Sequence, residues 1–158
     1  MAVRLVRELG EEVLRERARP VKRFDEVLQR LIDDMFETMY HYQGIGLAAP
    51  QIGVPKRVIV MDVDGVILAL VNPEVVSAAG ETADTEGCLS VPGVYGEVKR
   101  AAKVVVRGLN RDGTITELEA TALLARCLQH EIDHLEGILF IDKATELEPA
   151  SESETDSA

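Results

Sequence analysis

The hydrophobic residues between positions 25 and 42 recur at intervals of three and four, which is the spacing of one face of an α-helix. The apolar members of this face are Val27, Leu28, Leu31, Ile32, Met35, Phe36 and Met39. Asp25 precedes them and is a preferred N-cap residue, and Gly44 follows them as a helix terminator. The pattern therefore predicts an amphipathic helix from Asp25 to Tyr42.

Further along the chain, short runs rich in valine, isoleucine and leucine predict β-strands. Residues 57–63 and 66–71 form one pair of runs, separated by Asp64-Gly65, a dipeptide typical of tight hairpin turns. Residues 103–109 and 114–119 form a second pair around a short polar segment. Each pair predicts an antiparallel hairpin.

A second stretch of helical spacing runs from Ala120 to Leu135 and is followed by Gly137, a residue typical of helix C-caps. This helix follows the two hairpins and must bury its apolar face against a sheet. The fold class that these elements predict is α+β, with antiparallel sheets packed around this central helix.

The length favours a single domain, since 158 residues fall within the usual size of one. We expect the domain to span residues 1–146, and residues 147–158, which are charged, small and poor in apolar side chains, to form a disordered acidic tail. No apolar run approaches the length of about 18 residues that predicts a membrane-spanning helix. The start, Met1–Arg4, leads into charged residues instead of an apolar signal segment, so a cytoplasmic protein is expected.

The formal charge of the chain is strongly negative, because 17 basic and 28 acidic residues give −11. Five of the acids lie in the last thirteen residues, and without those thirteen the charge is −6. A body of this charge argues against nonspecific binding to nucleic acid, which requires basic clusters that displace phosphate counterions.

The sequence His130-Glu131-Ile132-Asp133-His134 lies within the second predicted helix and has the chemistry of a metal site. Positions i and i+4 lie on one face of a helix, so the two imidazoles can reach one ion. In the H-E-x-x-H pattern the glutamate after the first histidine is the general base toward water that the metal activates. The alternative is a solvated cluster of charges on an acidic helix.

Two imidazoles leave a first-row metal in need of a further protein ligand. Cys88, in the segment Glu86–Ser90, can supply a thiolate, and the alternative for it is burial as a small apolar side chain. Three protein ligands and one exchangeable position are typical of a catalytic metal. Cys127 precedes His130 by three residues and is expected to pack beside the site. The two cysteines could pair as a disulfide, but a metal-bound or reactive thiol fits a cytoplasmic chain better.

Three segments together closely resemble the signatures of the peptide deformylase family, which are G-x-G-x-A-A-x-Q, E-G-C-L-S and Q-H-E-x-D-H-L. They are residues 44–51, 86–90 and 129–135, and every fixed position is present. The resemblance extends from about Val3 to about Asp142. It implies a deformylase-like α+β fold and a hydrolase that removes the N-formyl group from the N-terminal formyl-methionine of newly made polypeptides, releasing formate.

The resemblance also implies one divalent metal ion held by Cys88, His130 and His134, with Glu131 as the general base. It implies Fe²⁺ in the cell. By the softness of its ligands alone, the same set of donors also suits Zn²⁺, Ni²⁺ and Co²⁺.

Further roles in catalysis and substrate binding follow from the same resemblance. It implies that the Gln51 amide and the Leu89 backbone N–H bind the oxyanion that forms when water attacks the formyl carbon. Glu86 and Arg100 align with an ion pair that supports the Cys88 loop. The candidate substrate-binding residues are Gly44, Ile45, Gly46, Glu86, Leu123, Arg126 and Cys127. The two glycines permit close approach of an extended peptide, the apolar residues form a pocket for methionine, and the stem of Arg126 lines its mouth.

The chain departs from the family pattern at three places. Pro50 fills the variable position of the first motif and stiffens that loop. Ala122 stands where many relatives have glycine before the metal-binding helix. The acidic tail lacks the basic charge with which some relatives dock on the ribosome. The expected partners are therefore nascent formyl-methionyl polypeptides, with a transient ribosome contact left open, and neither a membrane nor direct nucleic-acid binding is expected.

Two other functions fit parts of the pattern. A zinc endopeptidase of the H-E-x-x-H type shares the second helix, but a cysteine ligand is unusual in that class. An inactive deformylase-like protein that binds peptides or metals is the second alternative. The intact Glu131 argues against it, because a binding protein has no need of a base.

Overall fold

Eight β-strands and two α-helices form most of the regular structure of residues 2–149, the part of the chain that the computed structural model describes. The strands are β1 (Gly46–Ala48), β2 (Val58–Val63), β3 (Val66–Ala79), β4 (Thr82–Cys88), β5 (Val91–Arg100), β6 (Lys103–Leu109), β7 (Ile115–Thr121) and β8 (Leu147–Pro149), and the helices are α1 (Glu26–His41) and α2 (Ala122–Leu135). Five strands form one antiparallel sheet in the order β1-β2-β3-β6-β7, and the other three form a second in the order β4-β5-β8. Both predicted hairpins, β2–β3 and β6–β7, are confirmed.

Strand β2 shows how helices cover both faces of the five-stranded sheet. Val58 and Val60 belong to the apolar cluster on the α1 side, whereas Ile59 and Met61 belong to the cluster on the α2 side. The side chains of a strand alternate between two faces, and here both sets are apolar and fully buried. Each such burial stabilises the fold by about 1.5–3 kcal/mol.

Helix α2 lies between the two sheets. One side of it contributes Ala125, Leu128 and Ile132 to the cluster on the five-stranded sheet. On another side the His130 ring stacks on Phe140, with 6.4 Å between the ring centroids, and Phe140 belongs to the apolar cluster of the three-stranded sheet. The predicted packing of antiparallel sheets around a central helix is therefore confirmed.

Both helices begin and end close to the predicted residues. Asp25 accepts a hydrogen bond from the Leu28 backbone N–H at 3.1 Å, which is the expected N-cap contact. Helix α1 ends at His41, and the residue with left-handed backbone is Gln43 (φ 60°), not Gly44. Gly137 follows α2 with φ 75°, so the predicted left-handed turn after this helix is confirmed.

Strand β3 is longer than the local pattern predicts. It continues to Ala79 because its later residues pair with β6 across two irregularities in register. Asn72 lies at the first of these with φ 51°, and its side chain exchanges two hydrogen bonds with the backbone of Val21. A bulge of this kind bends a strand and turns it toward a new partner.

The beginning of the predicted acidic tail is corrected by the structure. Leu147–Pro149, expected to be disordered, form β8 and pair with residues 94–96 of β5. The prediction failed there because backbone hydrogen bonding to an available strand edge does not require apolar side chains. The rest of the tail, residues 150–158, lies outside the described residues, as does Met1. Within residues 2–149 neither helix is long and apolar enough to cross a membrane.

Ala122, the first residue of α2, has a left-handed backbone with φ 53°. This conformation costs an L-residue about 1–2 kcal/mol, whereas glycine adopts it freely. Ala122→Gly is therefore expected to raise the free energy of unfolding by about 0.5–1 kcal/mol, after the entropy of the unfolded glycine is subtracted. Urea denaturation measures the change, with Ala83→Gly in β4 as the control, since an ordinary strand residue loses stability on the same substitution. Equal destabilisation by both substitutions would contradict the strain at Ala122.

Candidate active site

Three potential metal ligands meet where the end of β4 approaches α2. The ligand atoms of Cys88, His130 and His134 all lie within 4.8 Å of one another, and all three residues are buried. The Cys88 Sγ is 3.4 Å from Nε2 of His134. The two histidine rings project from successive turns of α2, with 5.0 Å between their centroids. Neither Cys88 nor Cys127 forms a disulfide.

The hydrogen bonding and burial of the two histidines suit the binding of a divalent cation. Nδ1 of His130 lies 2.9 Å from a carboxylate oxygen of Glu86, so Nδ1 carries the proton and Nε2 keeps its lone pair. That Nε2 is buried and has no hydrogen-bond partner among residues 2–149. Burial lowers the pKa of His134 well below its usual range, which keeps this imidazole neutral. Two imidazole rings beside a cysteine sulfur form a donor set that fits a divalent metal ion.

Glu86 is the centre of a buried polar network behind the ligands. Its carboxylate accepts two hydrogen bonds from Arg100, both at 2.8 Å. It accepts another from Arg126 at 2.5 Å, in addition to the bond from His130. Burial alone would raise the pKa of Glu86, but the hydrogen bonds from Arg100 and His130 outweigh burial and lower it well below its usual range. Glu86 is therefore an anion that orients His130, and the expected Glu86–Arg100 ion pair is confirmed.

Glu131 is fully buried, and neither of its carboxylate oxygens has a hydrogen-bond partner within residues 2–149. Burial and the negative charge of Glu86 raise its pKa well above the usual range. A carboxylate in this state has a high proton affinity, as a general base requires.

Gly46 is the residue against which Glu131 packs. A Cβ atom at position 46 would lie 2.6 Å from Oε2 of Glu131 and 2.8 Å from Sγ of Cys127. At separations this short, a side chain at position 46 would push the Glu131 carboxylate and the Cys127 thiol out of place, because β1 approaches these two side chains so closely.

The amide of Gln51 is held in one orientation. Its Oε1 accepts a hydrogen bond from the Ala48 N–H at 2.9 Å. Its Nε2 donates to the Ser90 hydroxyl at 3.1 Å and lies 3.6 Å from the Cys88 Sγ. These partners identify which end of the amide is the oxygen and which is the NH₂ group. The NH₂ group faces the ligand cluster. Leu89, the other predicted oxyanion donor, follows Cys88 directly in the turn between β4 and β5.

Most of the predicted substrate-binding residues line one cleft beside the ligands. From that set the lining includes Ile45, Glu86, Leu123, Arg126 and Cys127, and it also includes Asp84, Thr85, His130 and Glu131. Burial and the charges of Glu131 and Glu86 raise the pKa of the Cys127 thiol, so this thiol stays protonated. Gly44 is not part of the cleft lining; its N–H donates to the Met39 carbonyl at the end of α1.

Two supporting residues were missed by sequence reasoning. Ser90 is fully buried and positions the Gln51 amide; its place beside Leu89 in the second motif was the available signal. Thr82 accepts hydrogen bonds from the Arg126 guanidinium through its carbonyl and hydroxyl oxygens. No local signal marked Thr82, because the contact joins β4 to a helix far along the chain. Asp133 also supports the site, because its carboxylate accepts a 2.7 Å hydrogen bond from Arg100.

The sequence of this chain is similar to those of known proteins. A family model described as polypeptide deformylase matches residues 3–150. A curated peptide deformylase from Desulfitobacterium hafniense is 56% identical over 144 residues, which cover 91% of this chain and 96% of that protein.

Solved structures agree with the sequence comparison. The crystal structure of a peptide deformylase from Legionella pneumophila is 53% identical and superposes with a TM-score of 0.89, covering 91% of this chain and 87% of that one. A class I type b peptide deformylase from Acinetobacter baumannii, with Met-Ala-Ser bound, is 36% identical with a TM-score of 0.87, covering 90% of this chain and all of that one. The likeness to each of these structures extends over at least 90% of this chain.

Proposed function

This chain belongs to the polypeptide deformylase family, and we propose which of its residues performs each part of the reaction. The protein is a hydrolase that removes the N-formyl group from the N-terminal formyl-methionine of newly made polypeptides and releases formate. One observation carries the assignment of roles. The cluster of Cys88, His130 and His134 adjoins a buried, unpartnered Glu131 and the NH₂ group of Gln51.

Cys88, His130 and His134 would hold the single divalent ion that this family requires. Once bound, the ion supplies Lewis-acid activation of water and polarises the formyl oxygen. Glu86 holds His130 in the tautomer that presents Nε2 to the ion, and Arg100 and Arg126 keep Glu86 ionised and in place. The cysteine and histidine donors fit Fe²⁺, which we propose as the ion in the cell.

Glu131 is the general base in this proposal. Its carboxylate takes a proton from the attacking water while the water oxygen bonds to the formyl carbon. The C–N bond then breaks, and the same carboxyl group returns the proton to the departing amine. Formate and a peptide with a free amino group are the products. The raised pKa of Glu131 suits both the uptake and the return of the proton.

The Gln51 amide and the Leu89 N–H are the proposed donors to the oxyanion. Preorganised donors act at the transition state without the cost of reorientation. Ala48 and Ser90 fix the Gln51 amide from both ends. The Gln51 NH₂ group is therefore oriented toward the ligand cluster before the substrate binds.

The cleft beside the ligands would take the methionine side chain. Ile45, Leu123 and Cys127 line it with apolar surface, and a related peptide deformylase binds Met-Ala-Ser, a peptide that begins with methionine. Among the described residues β1 is an edge strand, so the rest of the peptide can pair with its backbone. A narrow cleft beside the metal ligands would favour the small formyl group over a larger acyl group.

The Gln51→Ala variant tests the proposed oxyanion site. It is expected to lower kcat on formyl-Met-Ala-Ser by roughly 10²–10³-fold, with metal content unchanged, because one donor to the oxyanion is lost. Gln29→Ala is the matched control, since Gln29 bonds to Arg111 away from the ligand cluster. A normal kcat in Gln51→Ala would remove the amide from the mechanism. Cleavage of an unformylated internal peptide bond by the wild type would instead favour endopeptidase activity.

We also propose that the protein acts in the cytoplasm on chains leaving the ribosome. A transient contact is supported by one surface cleft that carries Arg19, Lys22, Arg23 and Lys56. Within residues 2–149 none of these four cations is in an ion pair. Sedimentation with ribosomes that persists in high salt would argue against an electrostatic contact through this cleft.

A further inference from the structure

We propose that the N-terminal segment, residues 2–9, is a positioning element that fixes the two oxyanion donors relative to each other. The inference rests on the proposed roles of the Gln51 amide and the Leu89 N–H. It gives a role in catalysis to the contacts of the N-terminal segment, which takes no direct part in the reaction. The segment reaches both donor loops through its backbone and is anchored on α1.

The two donors come from parts of the fold that no strand pairing joins. Gln51 lies in the short 3-10 helix that follows β1 of the five-stranded sheet, whereas Leu89 follows β4 of the three-stranded sheet. Within residues 2–149 the two sheets share no paired strands. Gln51 and Ser90 touch directly through one side-chain hydrogen bond of 3.1 Å. An oxyanion site built from two sheets needs a further tie, because a shift of 1 Å in one donor removes much of its effect.

The N-terminal segment supplies that tie through two backbone hydrogen bonds. The Arg7 N–H donates to the Gln51 carbonyl at 2.6 Å, and the Leu9 N–H donates to the Ser90 carbonyl at 2.8 Å. Residues two apart in an extended chain direct their N–H groups to the same side. One stretch of backbone therefore binds the residue that carries one donor and the residue next to the other.

The Arg7 side chain strengthens the contact with the Gln51 loop. Gly53, which ends the short helix of Gln51 with φ 83°, lies under the Arg7 guanidinium. A Cβ at position 53 would be 3.1 Å from Nε and Nη2 of Arg7. The segment thus covers the turn as well as bonding to its backbone.

Two polar residues on the buried side of α1 anchor the segment. Asp34 accepts hydrogen bonds from Nε and Nη2 of Arg4, at 2.8 and 2.6 Å, and from the Ala2 N–H at 2.7 Å. Thr38 accepts the Arg4 N–H at 2.9 Å. A carboxylate in a residue that is only 4% exposed is costly unless it is paired. Within residues 2–149 the hydrogen bonds to the Asp34 side chain come from Ala2 and Arg4, which both belong to the segment. Asp34 and Thr38 are therefore positioning residues that act through the segment on the donors.

The experiment compares removal of a backbone donor with removal of the side chain alone. Arg7→Pro deletes the N–H that binds the Gln51 carbonyl, whereas Arg7→Ala keeps it. Leu5→Pro places the same stiff ring at an exposed position of the segment. Arg7→Pro is expected to lower kcat on formyl-Met-Ala-Ser by about 10-fold or more while KM and metal content stay near wild type. Leu5→Pro is expected to keep kcat within about twofold of wild type. Arg7→Ala, which loses only the side-chain contact over Gly53, is expected to lose much less kcat than Arg7→Pro.

The outcomes separate this inference from the proposed function. A normal kcat in folded Arg7→Pro, or an equal loss in Leu5→Pro, overturns the positioning role even if the melting temperature falls. If Gln51→Ala keeps its kcat, the donor assignment itself fails, and the Arg7 result has no bearing on that failure. Should Arg7→Pro not fold, Leu9→Pro against Leu9→Ala makes the same comparison at the Ser90 carbonyl, and Thr38→Val tests the anchor.

Discussion

Cys88→Ala and His134→Ala are each expected to release the metal ion and to abolish hydrolysis of formylated peptides. Two ligands rarely hold a catalytic metal, and each substitution leaves only two of the three atoms that lie within 4.8 Å of one another. Of the two, Cys88→Ala removes the anionic ligand and is expected to have the larger effect. Elemental analysis of the purified variants, together with steady-state kinetics on formyl-Met-Ala-Ser, measures both consequences.

Cys127→Ala is the control for loss of a thiol near the ligands. Cys127 is buried and lines the cleft but does not belong to the ligand cluster, so this variant is expected to keep its metal. Full metal content in Cys88→Ala or His134→Ala would disprove the proposed ligand set. Wild-type protein purified without oxygen is expected to contain iron, and zinc alone in such a preparation would contradict the proposed ion.

Glu131→Ala is expected to keep the metal but to lower kcat by roughly 10²–10⁴-fold, the usual contribution of a positioned acid–base group. The glutamate is not part of the ligand cluster, so metal content separates this variant from the ligand variants. The loss is expected in kcat more than in KM, because proton transfer belongs to the transition state.

Glu131→Gln controls for the cavity that alanine leaves behind. Glutamine has nearly the same volume but cannot take a proton, so it is expected to lose as much activity as alanine. Metal-replete Glu131→Gln with a kcat near wild type would exclude Glu131 as the base. Glu136→Ala, at the exposed end of the same helix, is expected to leave kcat near the wild-type value.

The parts of the fold that were predictable are those whose signal is local. The Asp25 cap and the apolar spacing after it define α1, and Asp64-Gly65 defines the turn of the first hairpin. Strand β4 was not predicted, because its first residues are exposed and show no apolar alternation. Strand β8 and the later half of β3 depend on partners distant in sequence, which a local pattern does not encode.

The candidate site was predictable in its ligands and in the Glu86–Arg100 ion pair, but not in its other supports. Spacing on a helix brings His130 and His134 to one face, the chemistry of a thiolate made Cys88 the candidate third ligand, and the family resemblance supported that choice. The network that holds them joins Glu86 to two arginines from a strand and a helix. Buried partners of this kind are distant in sequence and come together only in the folded protein. Neither Thr82 nor the N-terminal segment has a sequence pattern that would reveal its contacts.

The contact between Gly46 and Glu131 bears on how the protein can respond to an inhibitor. A Cβ atom at position 46 would lie 2.6 Å from Oε2 of Glu131 and 2.8 Å from Sγ of Cys127, so both side chains would have to move. A resistant variant cannot simply enlarge this residue to exclude a drug, because the same change would displace the carboxylate that catalysis needs. For a compound that binds the backbone at Gly46, a substitution of this residue that weakened binding would therefore also reduce the catalytic activity.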